Sequence, residues 1–352
     1  MMRPFVTAAQ LLRDGVASHA FPAACLEVGR SGDPLWREAF GALSYDPASP
    51  AATETTIFDL ASLTKVIATT TFAMRAVDGG KLQLEERVAE RLPAWRGADR
   101  EDVTVRDLLA HASGLTAYLP FYRDHRGRQE FESAISSGPL EYMPRTRSIY
   151  SDLGFILLGF ILEDVGEPAG TALGEQFACI ARSVTSEILT YNLPPAFRPL
   201  AAPTEVDPWR GRLLQGEVHD ENAWALGGSA GHSGLFGTVG AVGAFARAVL
   251  RTIAGEPLLA KPRTAHAFIR RMGIPDSSRA LGWDTMLPTS SCGTKLSATA
   301  IGHTGFTGTS LWIDWERDLY IVLLTNRVHP TRDNNQLKAL RPAVHDAVVM
   351  EL

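Results

Sequence analysis

Ser62 and Lys65 stand three residues apart at the head of an apolar stretch, DLASLTKVIATTTFAMRAVDGG, residues 59–80. On an α-helix that spacing is nearly one turn, so the two side chains would share a face. A serine hydroxyl is a poor nucleophile near neutral pH and needs a neighbour to take its proton. A lysine can do so only where desolvation or nearby positive charge lowers its pKa. A helix N-terminus suits both needs, because its dipole disfavours an ammonium and its free N–H groups can bind an oxyanion. The competing reading is structural, since serine is also a favoured N-cap.

Two later stretches supply the partners such a serine needs. Tyr150 opens YSDLG, with Asp152 two residues on at the entrance to a helix, and HTGFTG at 303–308 leads into a strand beginning near Thr309. In this order SLTK, YSD and HTG resemble the three signature elements of the serine β-lactamase and penicillin-binding protein superfamily. The likeness is greatest to its class C β-lactamase-like branch, which includes esterases, D-aminopeptidases and DD-carboxypeptidases. It runs from about residue 5 to 350 and takes in TIFDLASLTK, TVRDLLAHASGL and GGSAGHSGLFGT.

The resemblance implies that Ser62 is the acylated nucleophile, Lys65 its proton acceptor or electrostatic helper, and Tyr150 the group that passes a proton to the leaving atom and later activates water. A phenol with a reference pKa of about 10 acts as a base only if a cation such as Lys65 lowers it, which makes the two a coupled pair. Asp152 departs from the family's usual Asn. An ionised acid donates no hydrogen bond, so it either caps the following helix or pairs with Lys65, raising the lysine's pKa and favouring Tyr150 as base. His303 stands where many relatives carry lysine. An imidazole with a reference pKa of about 6.5 is mostly neutral at pH 7.5, so weak anchoring of a substrate carboxylate is expected. Thr304 and Gly305 complete the motif, Gly305 letting substrate approach an edge strand. The backbone N–H of Phe306 would join that of Ser62 as the oxyanion hole.

The segment GEVHDENAWALGG, 216–228, gathers His219, Asp220, Glu221 and Asn222, with His232 soon after. It lacks H-x-x-x-H or H-x-H spacing, so a cleft-lining loop or a polar network is favoured over a metal site. Similar segments in cell-wall-related members of the family make His219 and Asp220 substrate-contact candidates. The glycines at 227, 228, 231, 234, 237, 240 and 243 accompany no G-K-[ST] and no strand-linked G-x-G-x-x-G, which points to tight turns rather than a nucleotide. No cofactor and no metal is expected.

These residues must be positioned by elements far apart in sequence. Helical spacing recurs over Ala8–Ser18, 62–78, the TVRDLLAHAS stretch from the cap Thr104, from Asp152, from about Val239, and over Asn335–Val349. Strands are expected in AACLEVGRSG, in PLWREAFGALS, and in a hairpin at 309–326 turning at Glu316–Asp318, while 115–150 and 190–225 read as irregular. The fold class that follows is α/β (α+β): a β-lactamase-like antiparallel sheet flanked by helices, with a mostly helical subdomain. We expect a single unit over 1–352, with a sandwich lobe from 1–61 and 230–352, a helical lobe from 62–229, and the active-site cleft between them.

Composition narrows the function classes. The chain has 352 residues, 45% of them hydrophobic and 21% charged, and a net charge of −5. No dense Lys/Arg cluster is present to neutralise phosphates, so nucleic acid is excluded as an expected partner. Cys25, Cys179 and Cys292 lie far apart without C-x-x-C spacing, which suggests inert thiols. Arg13, Asp14 and His19 interrupt the N-terminal apolar stretch, and no uncharged run of 18 residues follows, so a cytoplasmic protein without a membrane span is expected. Its partners are then small ester, amide or short D-peptide substrates, with the oligomeric state open. The resemblance implies a serine hydrolase working through a Ser62 acyl-enzyme, first as a carboxylesterase or D-amino-acid peptidase/amidase, alternatively as a muropeptide amidase or weak β-lactamase. From other classes come a penicillin-binding sensor that acylates without turnover and a metallohydrolase using the 219–232 histidines.

Overall fold

The computed structural model describes residues 5–352. The N-terminal part comprises α1 (Val6–Ala17), β1 (Ala23–Gly29), β2 (Pro34–Gly41) and β3 (Phe58–Asp59), then a wide π-helical turn, Lys65–Thr69, running into α2 (Thr70–Asp78). Next come α3 (Val88–Arg91), α4 (Val105–Leu109), α5 (Gly127–Ser137), α6 (Asp152–Asp164), α7 (Leu173–Val184), β4 (Leu189–Tyr191), β5 (Val206–Asp207), β6 (Arg212–Leu213) and α8 (Glu221–Ala225). The rest is β7 (Leu235–Gly237), α9 (Val239–Ile253), α10 (Pro262–Ile269), β8 (Asp284–Thr285), β9 (Ile301–Thr304), β10 (Ser310–Asp314), β11 (Leu319–Thr325) and α11 (Leu337–Met350).

The main sheet has the order β2-β1-β11-β10-β9-β8 and is antiparallel throughout. β1 pairs with β11, so both ends of the chain build its centre, as the sequence pattern implied. Alternation divides the strand residues between two layers. Leu26, Val28, Ile321 and Leu323 pack with Ala8, Leu12, Val344 and Val348 of α1 and α11. Cys25, Val322 and Leu324 belong to the core that includes Val242, Phe245 and Val249 of α9. Each Val, Leu, Ile or Phe among them, fully buried, contributes roughly 1.5–3 kcal/mol.

A smaller sheet, β3-β7-β4, carries Ser62's approach. Helix α6 reads DLGFILLGFILED and is buried from Leu153 through Leu162, as an apolar run without a polar face must be. Residues 190–225, expected as loops, hold the β5–β6 ladder and α8. Two-residue strands are too short to carry a period in the sequence.

Candidate active site

Ser62 follows a strained turn. Ala61 sits at φ 46°, a conformation that costs a non-glycine residue about 1–2 kcal/mol. Its N–H is held by Asp59 Oδ1 at 2.8 Å, while Asp59 Oδ2 accepts the His219 N–H at 2.7 Å. The end of β9 is tied to the same turn: Thr307 Oγ1 donates to the Asp59 carbonyl at 2.7 Å and Thr309 Oγ1 to the Leu60 carbonyl at 3.1 Å. A Cβ on Gly305 would lie 2.1 Å from Thr309 Oγ1 and 2.6 Å from the Leu60 oxygen. Glycine is therefore demanded by the packing of β9 against the serine turn, a stronger reason than room for substrate. β8 pairs only with Ile301 and Gly302, so His303 and Thr304 keep an edge unpaired by β8. Among the described residues the backbone N–H groups of Ser62 and Phe306 donate to no protein acceptor.

Lys65 is fully buried. Its Nζ donates to Ser62 Oγ at 3.0 Å, to Asp152 Oδ1 at 2.6 Å and to the His232 carbonyl at 3.0 Å. An ammonium has three N–H groups, and all three are used. Burial alone would push the lysine's pKa down, but the Asp152 carboxylate and then Tyr150 outweigh it and hold the pKa above the ordinary value. Neither capping alternative holds: the Ser62 hydroxyl is bonded to Lys65, and α6 is capped by Ser151 Oγ, which accepts the Gly154 N–H at 3.3 Å. That frees Asp152, the first residue of α6, to face Lys65.

Tyr150 packs its ring 4.8 Å from Lys65 Nζ and 4.8 Å from the His111 ring. Its hydroxyl is buried without a hydrogen-bond partner among the described residues. Burial raises its pKa, with Lys65 pulling down and Asp152 pushing up. Burial prevails over the pull of Lys65, so the phenol's pKa lies above its ordinary value rather than below it as the neighbouring cation alone would have it. His111 accepts the Ser151 N–H on Nδ1 at 3.0 Å, which fixes it as a neutral ring behind the tyrosine.

His303 is buried, and Nδ1 lies 2.8 Å from the Thr304 carbonyl, so Nδ1 carries the proton and Nε2 is an acceptor. Burial, then Arg279 and Lys65, hold its pKa well below the ordinary histidine value. The ring is therefore neutral, as the sequence suggested. The site nevertheless has a permanent cation nearby. Arg279 lays its guanidinium 5.0 Å from the centre of the Tyr150 ring. It forms no ion pair and no side-chain hydrogen bond among the described residues, and it lines a cleft of about 520 Å³ together with Ser62, Tyr150, Asp152, His303, Thr304, Gly305 and Phe306.

His219 and Asp220 reach the same cleft. His219 Nε2 pairs with Glu205 Oε2 at 2.9 Å, and its ring stacks 5.6 Å from that of Phe306. Asp220 accepts from the Ala223 N–H at 2.7 Å and pairs with His232 Nε2 at 2.9 Å. The two histidines thus answer to different carboxylates, and among the described residues no three His, Cys, Asp or Glu side chains converge on one point. Sequence reasoning missed Arg279, His111, Ser233 and Tyr118. Ser233 and Tyr118 also line the cleft, and the Ser233 hydroxyl has no hydrogen-bond partner among the described residues. His111 lies in TVRDLLAHASGL and Ser233 in GGSAGHSGLFGT, but none of the four belongs to the three signature elements, and only long-range packing brings them to the site.

Comparisons with known proteins identify the family. The β-lactamase family model matches residues 8–345. A protein of Escherichia coli (strain K12) named "Putative D-alanyl-D-alanine carboxypeptidase" is 32% identical over 351 residues, covering 88% of this chain and 79% of that protein. An "N-acetylmuramyl-L-alanine amidase" of Bacillus subtilis (strain 168) is 32% identical over 358 residues, covering 91% and 80%. A class C β-lactamase structure superposes with a TM-score of 0.78 at 17% identity, over 99% of this chain and 97% of that one, and so shares its fold. No helix among the described residues is long and apolar enough to cross a membrane. With one family model spanning nearly the whole length and two relatives above 30% identity, the chain belongs to the β-lactamase family and is a serine hydrolase of that fold.

Proposed function

We propose that the chain cleaves an amide of a cell-wall-type peptide through an acyl-enzyme on Ser62, with a substrate carboxylate near the leaving group held by Arg279. The observation that carries this reading is the three-way bonding of Lys65. A neutral amine has two N–H groups and one lone pair. The same geometry then serves it without rearrangement: two N–H bonds to Asp152 and the His232 carbonyl, and a lone pair facing the Ser62 hydroxyl. Lys65 in that form takes the serine proton as Oγ attacks the carbonyl carbon, and the N–H groups of Ser62 and Phe306 hold the oxyanion. Tyr150 gives its proton to the leaving nitrogen. Lys65 then returns a proton to the tyrosinate, so that net one proton has passed from the serine to the product amine and the pair is restored. In deacylation water loses its proton to the same pair.

The unpaired Arg279 and the two relatives, named for a D-alanyl carboxypeptidase and a muramyl-alanine amidase, favour an anionic peptide over a neutral ester. Esterase activity is the second reading, supported by the neutral His303. The test is a panel of D-alanyl-D-alanine peptides, a muramyl-L-alanine amide, p-nitrophenyl butyrate and a chromogenic cephalosporin, assayed with wild type, Ser62→Ala, Arg279→Gln and His303→Lys. Ser62→Ala should abolish turnover of every substrate. A charged hydrogen bond is worth about 1.5–3 kcal/mol, so Arg279→Gln should lower kcat/KM for the carboxylate-bearing peptides roughly ten- to a hundredfold and for the butyrate ester far less. An equal loss on both substrates would remove Arg279 from recognition.

A further inference from the structure

The cleft is also lined by four further cationic side chains, Arg327, Arg332, Lys338 and Arg341. Arg332 is neutralised by Glu205 and Glu221, at 2.7 Å from each. The other three form no ion pair among the described residues. Arg327 gives one nitrogen to the carbonyls of Arg332 and Asn334 and lays its guanidinium 4.8 Å from the centre of the Phe306 ring. Arg341 is only 8% exposed, and its Nε has no hydrogen-bond partner among the described residues. Burial and the like charge of Arg327 push its pKa down to about 10, so it stays cationic at neutral pH. A buried, unpaired guanidinium is costly to a fold unless an anion pairs with it. Leu337 and Lys338 also place the start of the 14-residue α11 at the cleft wall, where the helix dipole adds positive potential.

We propose that Arg327, Lys338 and Arg341 form a second anion subsite, which takes a phosphate or carboxylate carried by the part of the substrate remote from the scissile bond. The proposal rests on the cleft being the substrate site but is independent of Ser62's role. Arg279 acts on Tyr150 and His303, whereas Arg327 of this cluster lies against Phe306, so one cleft presents two separate cationic points. A substrate with two anionic groups spans them.

Inorganic phosphate is the probe, measured by calorimetric titration against chloride at matched ionic strength, in wild type and in Ser62→Ala. Saturable phosphate binding is expected in both proteins, weakened at least tenfold by Arg341→Met. Lys338 is exposed, so Lys338→Glu provides a variant whose fold is not at risk, and it should weaken phosphate at least as much. A second arm compares two p-nitrophenyl esters of equal chain length, one acyl chain ending in phosphate and the other in carboxamide. Preference for the charged ester should fall at least tenfold in Lys338→Glu, which identifies the anion as substrate-borne. Phosphate binding without any preference for the charged ester would overturn that assignment. Equal phosphate affinity in all variants, or none in wild type, would overturn the subsite itself. A wild type that turns over esters but binds no phosphate counts against the subsite alone, and undiminished turnover in Ser62→Ala with phosphate still bound counts against Ser62 alone.

Discussion

Asp152 sets the proton inventory of the site. Where the family usually carries Asn, its carboxylate lies 2.6 Å from Lys65 Nζ, and both Lys65 and Tyr150 have raised pKa values, each with Asp152 among the groups that raise it. At neutral pH both groups are therefore protonated, and the reactive form has lost one proton from the pair. kcat/KM should rise with pH on the alkaline side of neutrality. Asp152→Asn removes the countercharge, lets burial lower Lys65, and should move this limb to lower pH. A pH–rate profile of both proteins on one ester decides the matter, and a limb that stays in place or moves upward would separate Asp152 from the base. The motifs SLTK, YSD and HTG were legible because their members are two or three residues apart, so local geometry brings them together. Arg279 was not, because nothing in its surroundings, SSRALGW, marks it apart from its place over Tyr150.

At the scale of elements, the serine turn depends on the fit between β9 and the Leu60 carbonyl. Gly305→Ala would place a methyl 2.6 Å from that oxygen and 2.1 Å from Thr309 Oγ1. Overpacking of this kind costs typically 1–3 kcal/mol. The variant should melt several degrees lower and lose most of its kcat while keeping its circular dichroism spectrum; wild-type kcat would show that the turn tolerates displacement. Helix positions were readable from apolar spacing and caps: Thr104 forms a capping box with Asp107, α9 starts at Val239 under a Thr238 cap, and Gly79 ends α2. The π-helical turn at Lys65–Thr69 was not readable. It adds a residue to the hydrogen-bonded ring, and its surroundings include a distant partner, the Gly231 carbonyl, which accepts from Thr69 Oγ1 at 2.6 Å. The choice of Ser151 over Asp152 as cap was hidden for the same reason, since Lys65 competes for the carboxylate from 87 residues away.

The whole molecule joins its two ends in one sheet, and that much followed from strand patterns near both termini. The polar network under the cleft did not. Glu205 is pulled down to about 2, burial opposing and the His219 and Arg332 bonds prevailing. Its folded pKa lies below the unfolded value of 4.5, so the stability it contributes is full above the unfolded value and is lost as pH falls through the folded one. The stability gap between wild type and Glu205→Gln in urea should therefore be widest near pH 6 and close progressively below 4.5; a gap constant down to strongly acid pH would mean that Glu205 is not held by those partners. On the proposed mechanism, all of these features serve one covalent step at Ser62. The most direct measurement is intact and peptide-level mass spectrometry after rapid acid quench of the enzyme with a slowly deacylating ester or a phosphonate. A single adduct on the peptide containing Ser62, absent from Ser62→Ala, is the expected result; an adduct on any other residue, or undiminished turnover in Ser62→Ala, would contradict it.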